Sequence, residues 1–187
     1  MKKLLHRHFA ITFILTLLTI TPVLAGKIDA MFGYYSLTAK SSRSSGAISG
    51  LGSYKIGYFQ NFYKNFEAGV GYTVIMSDIV GGDMEYGLDI AINYFPVSSS
   101  STKVFNNTDM SVKVYDLWRP YVGAGFAQRQ IQSVKVSYAG FALQGGVERR
   151  VDGALSLKSE LRMVSLVGET QGEATEVNMF VGLSFSW

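Results

Sequence analysis

The chain has 187 residues, 17 Lys+Arg against 14 Asp+Glu, two His and no Cys. That length fits one domain or two small ones, and the lack of Cys excludes a disulfide scaffold, a Cys nucleophile and thiolate metal sites. The formal charge of +3 points to a nucleic-acid or acidic-surface partner only until it is located: Lys2, Lys3 and Arg7 account for all of it, and His6 and His8 lie beside them.

Residues 1–25 have the three parts of a secretory signal. Lys2, Lys3 and Arg7 form a basic start, and Phe9 to Ile20 is a nearly unbroken apolar run. Thr21-Pro22 breaks it, and Val23 and Ala25 stand at the −3 and −1 positions before Gly26. The run is shorter than the ~20 residues of a spanning helix. Cleavage after Ala25 is expected, leaving 26–187 as one exported domain. That domain has equal numbers of acids and bases and no His.

From Gly26 onward, apolar and polar residues alternate with period two, the signal of half-buried strands. Eight strands are predicted, at about 27–38, 48–60, 66–78, 83–95, 119–131, 135–150, 154–166 and 177–187. In the first, Ile28, Ala30, Phe32 and Tyr34 oppose Asp29, Met31 and Gly33. The second sets Tyr54, Ile56 and Tyr58 against Ser53, Lys55 and Gly57; the third sets Val70, Tyr72 and Val74 against Glu67, Gly69 and Gly71. The fourth alternates from Met84 to Tyr94 with Glu85 and Asp89 on its polar face. The fifth and sixth oppose Val122, Phe126, Phe141 and Leu143 to Arg129, Gln144, Glu148 and Arg150. Val151-Asp152-Gly153 carries the Asp-Gly hairpin signal. The seventh opposes Leu155, Leu157, Leu161 and Met163 to Ser156, Lys158, Glu160 and Arg162, and the last is apolar at every odd position to Trp187. The connections at Ser41 to Gly50, Gln132 to Ser137 and Val167 to Ala174 are read as short loops.

The alternation fits a soluble barrel with apolar residues inside or a membrane barrel with them outside. Twelve charged residues gather on the polar face: Asp29, Lys55, Glu67, Glu85, Asp89, Arg119, Arg129, Glu148, Arg150, Lys158, Glu160 and Arg162. An eight-stranded barrel has an interior only just wide enough for side chains, so the crowded apolar face would overfill it. The Gly-rich charged face fits inside. Six bases and six acids can pair there, whereas each charge would cost ~2–4 kcal/mol at the middle of a bilayer. These twelve residues are expected to form a lumen charge network, with Glu148, Arg150, Lys158, Glu160 and Arg162 clustered across the 151–153 turn. The Tyr, Phe and Trp residues near the strand ends suit interfacial girdles.

These features resemble the OmpA/OmpX-like superfamily of small outer-membrane β-barrels. The export signal, the eight amphipathic strands, Arg119-Pro120-Tyr121-Val122-Gly123-Ala124-Gly125-Phe126 and the terminal Phe185-Ser186-Trp187 carry the resemblance. It implies an all-β, eight-stranded antiparallel up-and-down transmembrane β-barrel with its termini in the periplasm. It also implies that Phe185 and Trp187 are read by the barrel-assembly machinery, and that the other partner is outer-membrane lipid, with a monomer favoured and no nucleic acid. Members include adhesins, structural proteins, small channels and lipid-modifying enzymes, so fold alone selects no activity.

The Val97 to Trp118 connection departs from the short periplasmic turns of such barrels. It is read as an insertion followed by a fifth strand prolonged from Met110, or as a contact surface for a periplasmic partner. Enzymatic candidates are thin. Ser165 and Ser184, read as small lumen residues, have no His to activate them. Asp78 and Asp83 around a Gly turn offer few of the oxygens that Ca²⁺ needs. No catalytic, cofactor or metal residue is assigned. The expected role is structural or surface-interacting with a filled lumen; the alternatives are a narrow passive channel and a lipid-modifying enzyme with His-free catalysis.

Overall fold

The computed structural model describes residues 26–40, 45–63, 65–76, 84–97, 103–107, 110–114, 118–132, 136–168 and 172–187. The expected signal segment 1–25, Asp78 and Asp83 lie outside the described residues. The strands are β1 (Gly26–Lys40), β2 (Ser45–Tyr63), β3 (Phe66–Met76), β4 (Met84–Tyr94), β5 (Lys103–Asn107), β6 (Met110–Val114), β7 (Trp118–Ile131), β8 (Val136–Arg150), β9 (Leu155–Gly168) and β10 (Glu173–Ser186).

Eight of them close into an antiparallel barrel in the order β1-β10-β9-β8-β7-β4-β3-β2. Sequential strands are neighbours throughout, and β7 follows β4 once β5 and β6 are set aside. The sheet closes where β1 meets β10, with Lys27 opposite Ser186 and Lys40 opposite Glu173. Period-two side chains then divide between wall and lumen. Phe32, Ile56, Ile90, Leu143 and Leu161 stand exposed on the outer wall, while Asp29, Lys55, Asp89, Gln144 and Arg162 are buried inside. The outer wall turns polar toward the end remote from Gly26 and Trp187. There β1 presents Ser36, Thr38 and Lys40, and β10 presents Thr175 and Glu173. The exposed apolar band runs from that polar rim to an aromatic rim with Tyr58, Tyr94, Trp118 and Trp187, and it suits contact with a bilayer.

Three sequence expectations change. Ser45–Ala47 is strand, not loop: it pairs with Thr38–Lys40 of β1, and the ladder carries Ser and Gly residues whose own strand preference is low. Likewise Glu173–Glu176 is strand. The third change concerns Met110–Val114, which does not prolong β7. It pairs with Lys103–Asn107 as a separate two-stranded sheet, Phe105 opposite Val112 and Asn107 opposite Met110. Only two residues separate these strands in sequence, so pairing with each other closes a far smaller loop than joining a barrel edge.

The long β2 carries two irregularities, one against β3 at Asn61/Tyr63 and one against β1. Its register against β1 shifts at Gly33/Tyr34, and Gly52 takes φ of +147° there. A Cβ on Gly52 would come within 2.6 Å of the Met76 carbonyl. This bulge lets β2 continue beyond β3 with its upper part re-aimed.

Candidate functional site in the barrel lumen

The lumen is stacked in levels from the end that holds Gly26 and Trp187. At the lowest level Lys27 donates to Glu67 at 2.8 Å and to Glu148 at 3.3 Å. Arg119 lies 3.6 Å from Glu148. Asn93 donates to Glu67 at 3.0 Å and accepts from Gln144 at 2.6 Å. The Phe95 ring forms the floor between two cations, with Lys27 Nζ 5.1 Å and the Arg119 guanidinium 4.4 Å from its centroid. Such contacts hold cations without adding an anion.

At the middle level Lys158 donates to Asp29 at 2.6 Å, and Lys55 donates to Glu160 at 2.5 Å. The Tyr121 hydroxyl donates to the other Glu160 oxygen at 2.7 Å. Phe59 lies among three ammonium groups: Lys158, Lys27 and Lys55 stand 5.0, 5.6 and 5.9 Å from its centroid. Glycine makes room for that ring. A Cβ on Gly69 would meet Phe59 Cδ1 at 2.3 Å.

The upper level is built on Asp89. It accepts from Thr73 at 2.5 Å, Arg129 at 2.8 Å and Arg162 at 2.6 Å. Arg129 also grips Glu176 through Nε at 2.8 Å and Nη2 at 3.2 Å. Glu85 lies 3.9 Å from Arg129. Asn178 donates to Glu176 and accepts from Ser53 at 3.0 Å. The upper end of the lumen is mainly apolar, with buried Glu85 opposite Ile75 in the ladder. Tyr35, Leu37, Ile75, Ala127, Ala142, Val164, Leu166 and Ala174 form one buried cluster there.

Most of these bonds cross the lumen instead of following the wall. Lys55–Glu160 joins β2 to β9, Arg162–Asp89 joins β9 to β4, and Arg129–Glu176 joins β7 to β10; each pair lies three strands apart in the ring. The expected single cluster on the sixth and seventh predicted strands therefore divides. Glu148 belongs to the lowest level, Lys158 and Glu160 to the middle and Arg162 to the upper. Arg150 sits half-buried at the end of β8, opposite Ser156. Strand tilt causes the division, because neighbours in register splay around the wall while residues of different register meet across it.

Two charges in the network were missed by the sequence reading: Lys27 and Glu176, both buried. One more step of the period-two pattern, past Asp29 and past Asn178, finds them. They add one charge of each sign. Ser184 is buried beside the Asp29 level, but Ser165 stands exposed on the outer wall and does not fill the lumen. It shares the parity of Leu161 and Met163. Among the described residues no three acids gather as they would around a metal ion.

No family model matches this sequence, and no curated protein matches it. Solved structures do match. Neisserial surface protein A superposes with a TM-score of 0.60 at 14% identity, over 87% of this chain and 99% of that one. The N-terminal β-barrel domain of Pseudomonas aeruginosa OprF superposes at 0.52 with 15% identity, over 87% and 97%. The fold is that of the small eight-stranded outer-membrane barrels. In a transmembrane barrel of this kind, the exposed band of Phe32, Ile56, Ile90 and Leu161 meets acyl chains. The lumen charges are shielded from those chains by the sheet itself. A charge inside the barrel is tolerated because it is paired, and removing either partner leaves the other stranded.

Proposed function

We propose that this chain is an integral outer-membrane protein, exported by its N-terminal segment, with a structural or surface-interacting and non-enzymatic role. Its own side chains close the lumen. The observation that carries this reading is the upper level: Arg129 and Arg162 are 0% and 1% exposed, tied to Asp89 and Glu176, beneath an apolar cluster. A hydrophobic constriction stops ion passage by dewetting. Here a mainly apolar upper end follows a set of buried ion pairs.

The non-enzymatic part of the reading rests on two features. Residues 26–187 contain no His, and the two candidate serines stand on opposite sides of the wall, far from a shared base. A hydroxyl at its free pKa is a poor nucleophile without one. The name of the Neisserial neighbour, a surface protein, suits a role at the cell surface.

Liposome swelling with small sugars and amino acids tests the closed lumen. Vesicles carrying the folded protein are expected to swell no faster than empty ones. Fast swelling would install the narrow-channel reading instead. Mass spectrometry of lipid A from cells with and without the protein is expected to show one and the same acylation pattern; a protein-dependent change would make the chain an enzyme.

A further inference from the structure

The closure between β1 and β10 joins strands from opposite ends of the barrel sequence, with no turn between them. In a hairpin the turn fixes the register. At this seam nothing local does. The apolar alternation excludes a one-residue slip, since that would send every lumen charge into lipid. It does not exclude a two-residue slip, which moves a strand by about 7 Å and keeps both faces.

We infer that the lumen itself encodes the seam register, by ion pairs and by size complementarity that only the observed pairing satisfies. Four side-chain bonds reach across the seam. Asp29 of β1 accepts from Lys158 of β9 at 2.6 Å, and Lys27 of β1 donates to Glu148 of β8 at 3.3 Å. Lys55 of β2 donates to Glu160 of β9 at 2.5 Å, and Ser53 of β2 donates to Asn178 of β10 at 3.0 Å. A shift of two residues pulls all four apart and leaves the buried charges of the three ion pairs without partners.

The inward residues of the seam add a steric code. Gly33 stands opposite Phe180, and Met31 opposite Gly182, so each large side chain faces a glycine. The backbones also approach closely there. A Cβ on Gly33 would lie 1.8 Å from the Met179 carbonyl oxygen, and one on Gly182 would lie 2.1 Å from that of Ala30. One two-residue slip sets Gly33 opposite Gly182 and leaves a gap. The other sets Met31 opposite Phe180 and overfills the site. Both errors are costly in a packed interior.

Because the chain has no Cys, engineered Cys pairs report the register without background. Ala30 and Leu183 are opposite on the outer wall. Ala30→Cys with Leu183→Cys reports the observed register; Ala30→Cys with Val181→Cys, or with Phe185→Cys, reports the two slips. Each pair is placed in the otherwise unchanged chain and in Asp29→Asn/Lys55→Met, which removes one charge of each sign. Oxidised, heat-modifiable barrels are scored on gels. In the otherwise unchanged chain, only the Ala30→Cys/Leu183→Cys pair is expected to cross-link. The share of slipped cross-link is expected to rise at least about tenfold in the double variant, since two buried pairs no longer oppose it. A folded double variant that still cross-links only through the Ala30→Cys/Leu183→Cys pair would overturn the inference. If the double variant yields no folded barrel, Asp29→Asn alone is read with the same pairs and the same two outcomes.

Discussion

Lys55 of β2 and Glu160 of β9 meet across the lumen at 2.5 Å, and neither side chain is more than 1% exposed. Breaking such a pair from one side leaves a buried charge without its counter-ion. Lys55→Met is expected to destabilise the barrel by about 3–5 kcal/mol. Lys55→Met/Glu160→Met is expected to lose less than the sum of the two single variants, because each single strands the other's charge. Urea unfolding in detergent micelles, followed by gel mobility, measures both. Additive losses would show that the two side chains do not act as a pair.

Arg129 faces three acids, Asp89, Glu176 and, at 3.9 Å, Glu85, whereas Arg162 touches Asp89, which Arg129 also holds. Arg129→Met therefore strands Glu176 and weakens Asp89, while Arg162→Met leaves Asp89 and Glu176 with a cation. The unfolding midpoint is expected to fall further in Arg129→Met than in Arg162→Met. Equal midpoints would place the weight of the upper level elsewhere.

The outer wall makes a depth-dependent prediction. Ile90 is exposed in the middle of the apolar band, and Thr175 is exposed near the polar rim. Ile90→Arg is expected to cost about 2–4 kcal/mol in lipid vesicles and Thr175→Arg about 0–1. If both substitutions cost the same, the band is not the lipid-facing surface.

At the opposite rim Trp187 stacks on Tyr58 with ring centroids 6.1 Å apart. That contact is worth about 0.5–1.5 kcal/mol to the folded barrel. If Phe185 and Trp187 also serve as an assembly signal, Phe185→Ala/Trp187→Ala should lower the yield in the outer-membrane fraction far more than it lowers the stability of refolded protein. Comparing the two readouts separates assembly from packing. A yield that falls only in step with stability contradicts the assembly role.

The β5–β6 ribbon takes no part in the barrel ladder, since β4 and β7 pair directly, with Tyr94 opposite Val122. Replacing residues 98–116 by a short turn is expected to leave a heat-modifiable barrel of unchanged unfolding midpoint. Envelope leakage in cells carrying that variant would support a periplasmic contact on the ribbon. Intact envelopes would remove that reading.

The division between wall and lumen could be read from residues alone because period two is a local property: Ile28 and Phe32 alternate with Asp29 in any strand. Height within the lumen is not local. Arg162 meets Asp89 and not the Lys158 or Glu160 of its own strand because tilt and stagger set which inward residues share a level, and one sequence does not display the stagger. Lys27 and Glu176 escaped because they sit where predicted strands begin, the region in which the alternation has fewest neighbours to support it. The pairing of β5 with β6 escaped because five-residue strands carry too little pattern to distinguish a separate ribbon from an extended edge.

Closure of this chain as a barrel in the outer membrane is tested most directly by gel mobility of the native protein from outer-membrane fractions, unheated against boiled. The protein is expected to fractionate with the outer membrane and to run faster unheated than boiled, because a closed barrel resists detergent until heat opens it. A protein recovered from the soluble periplasm, with one mobility in both samples, would contradict that closure.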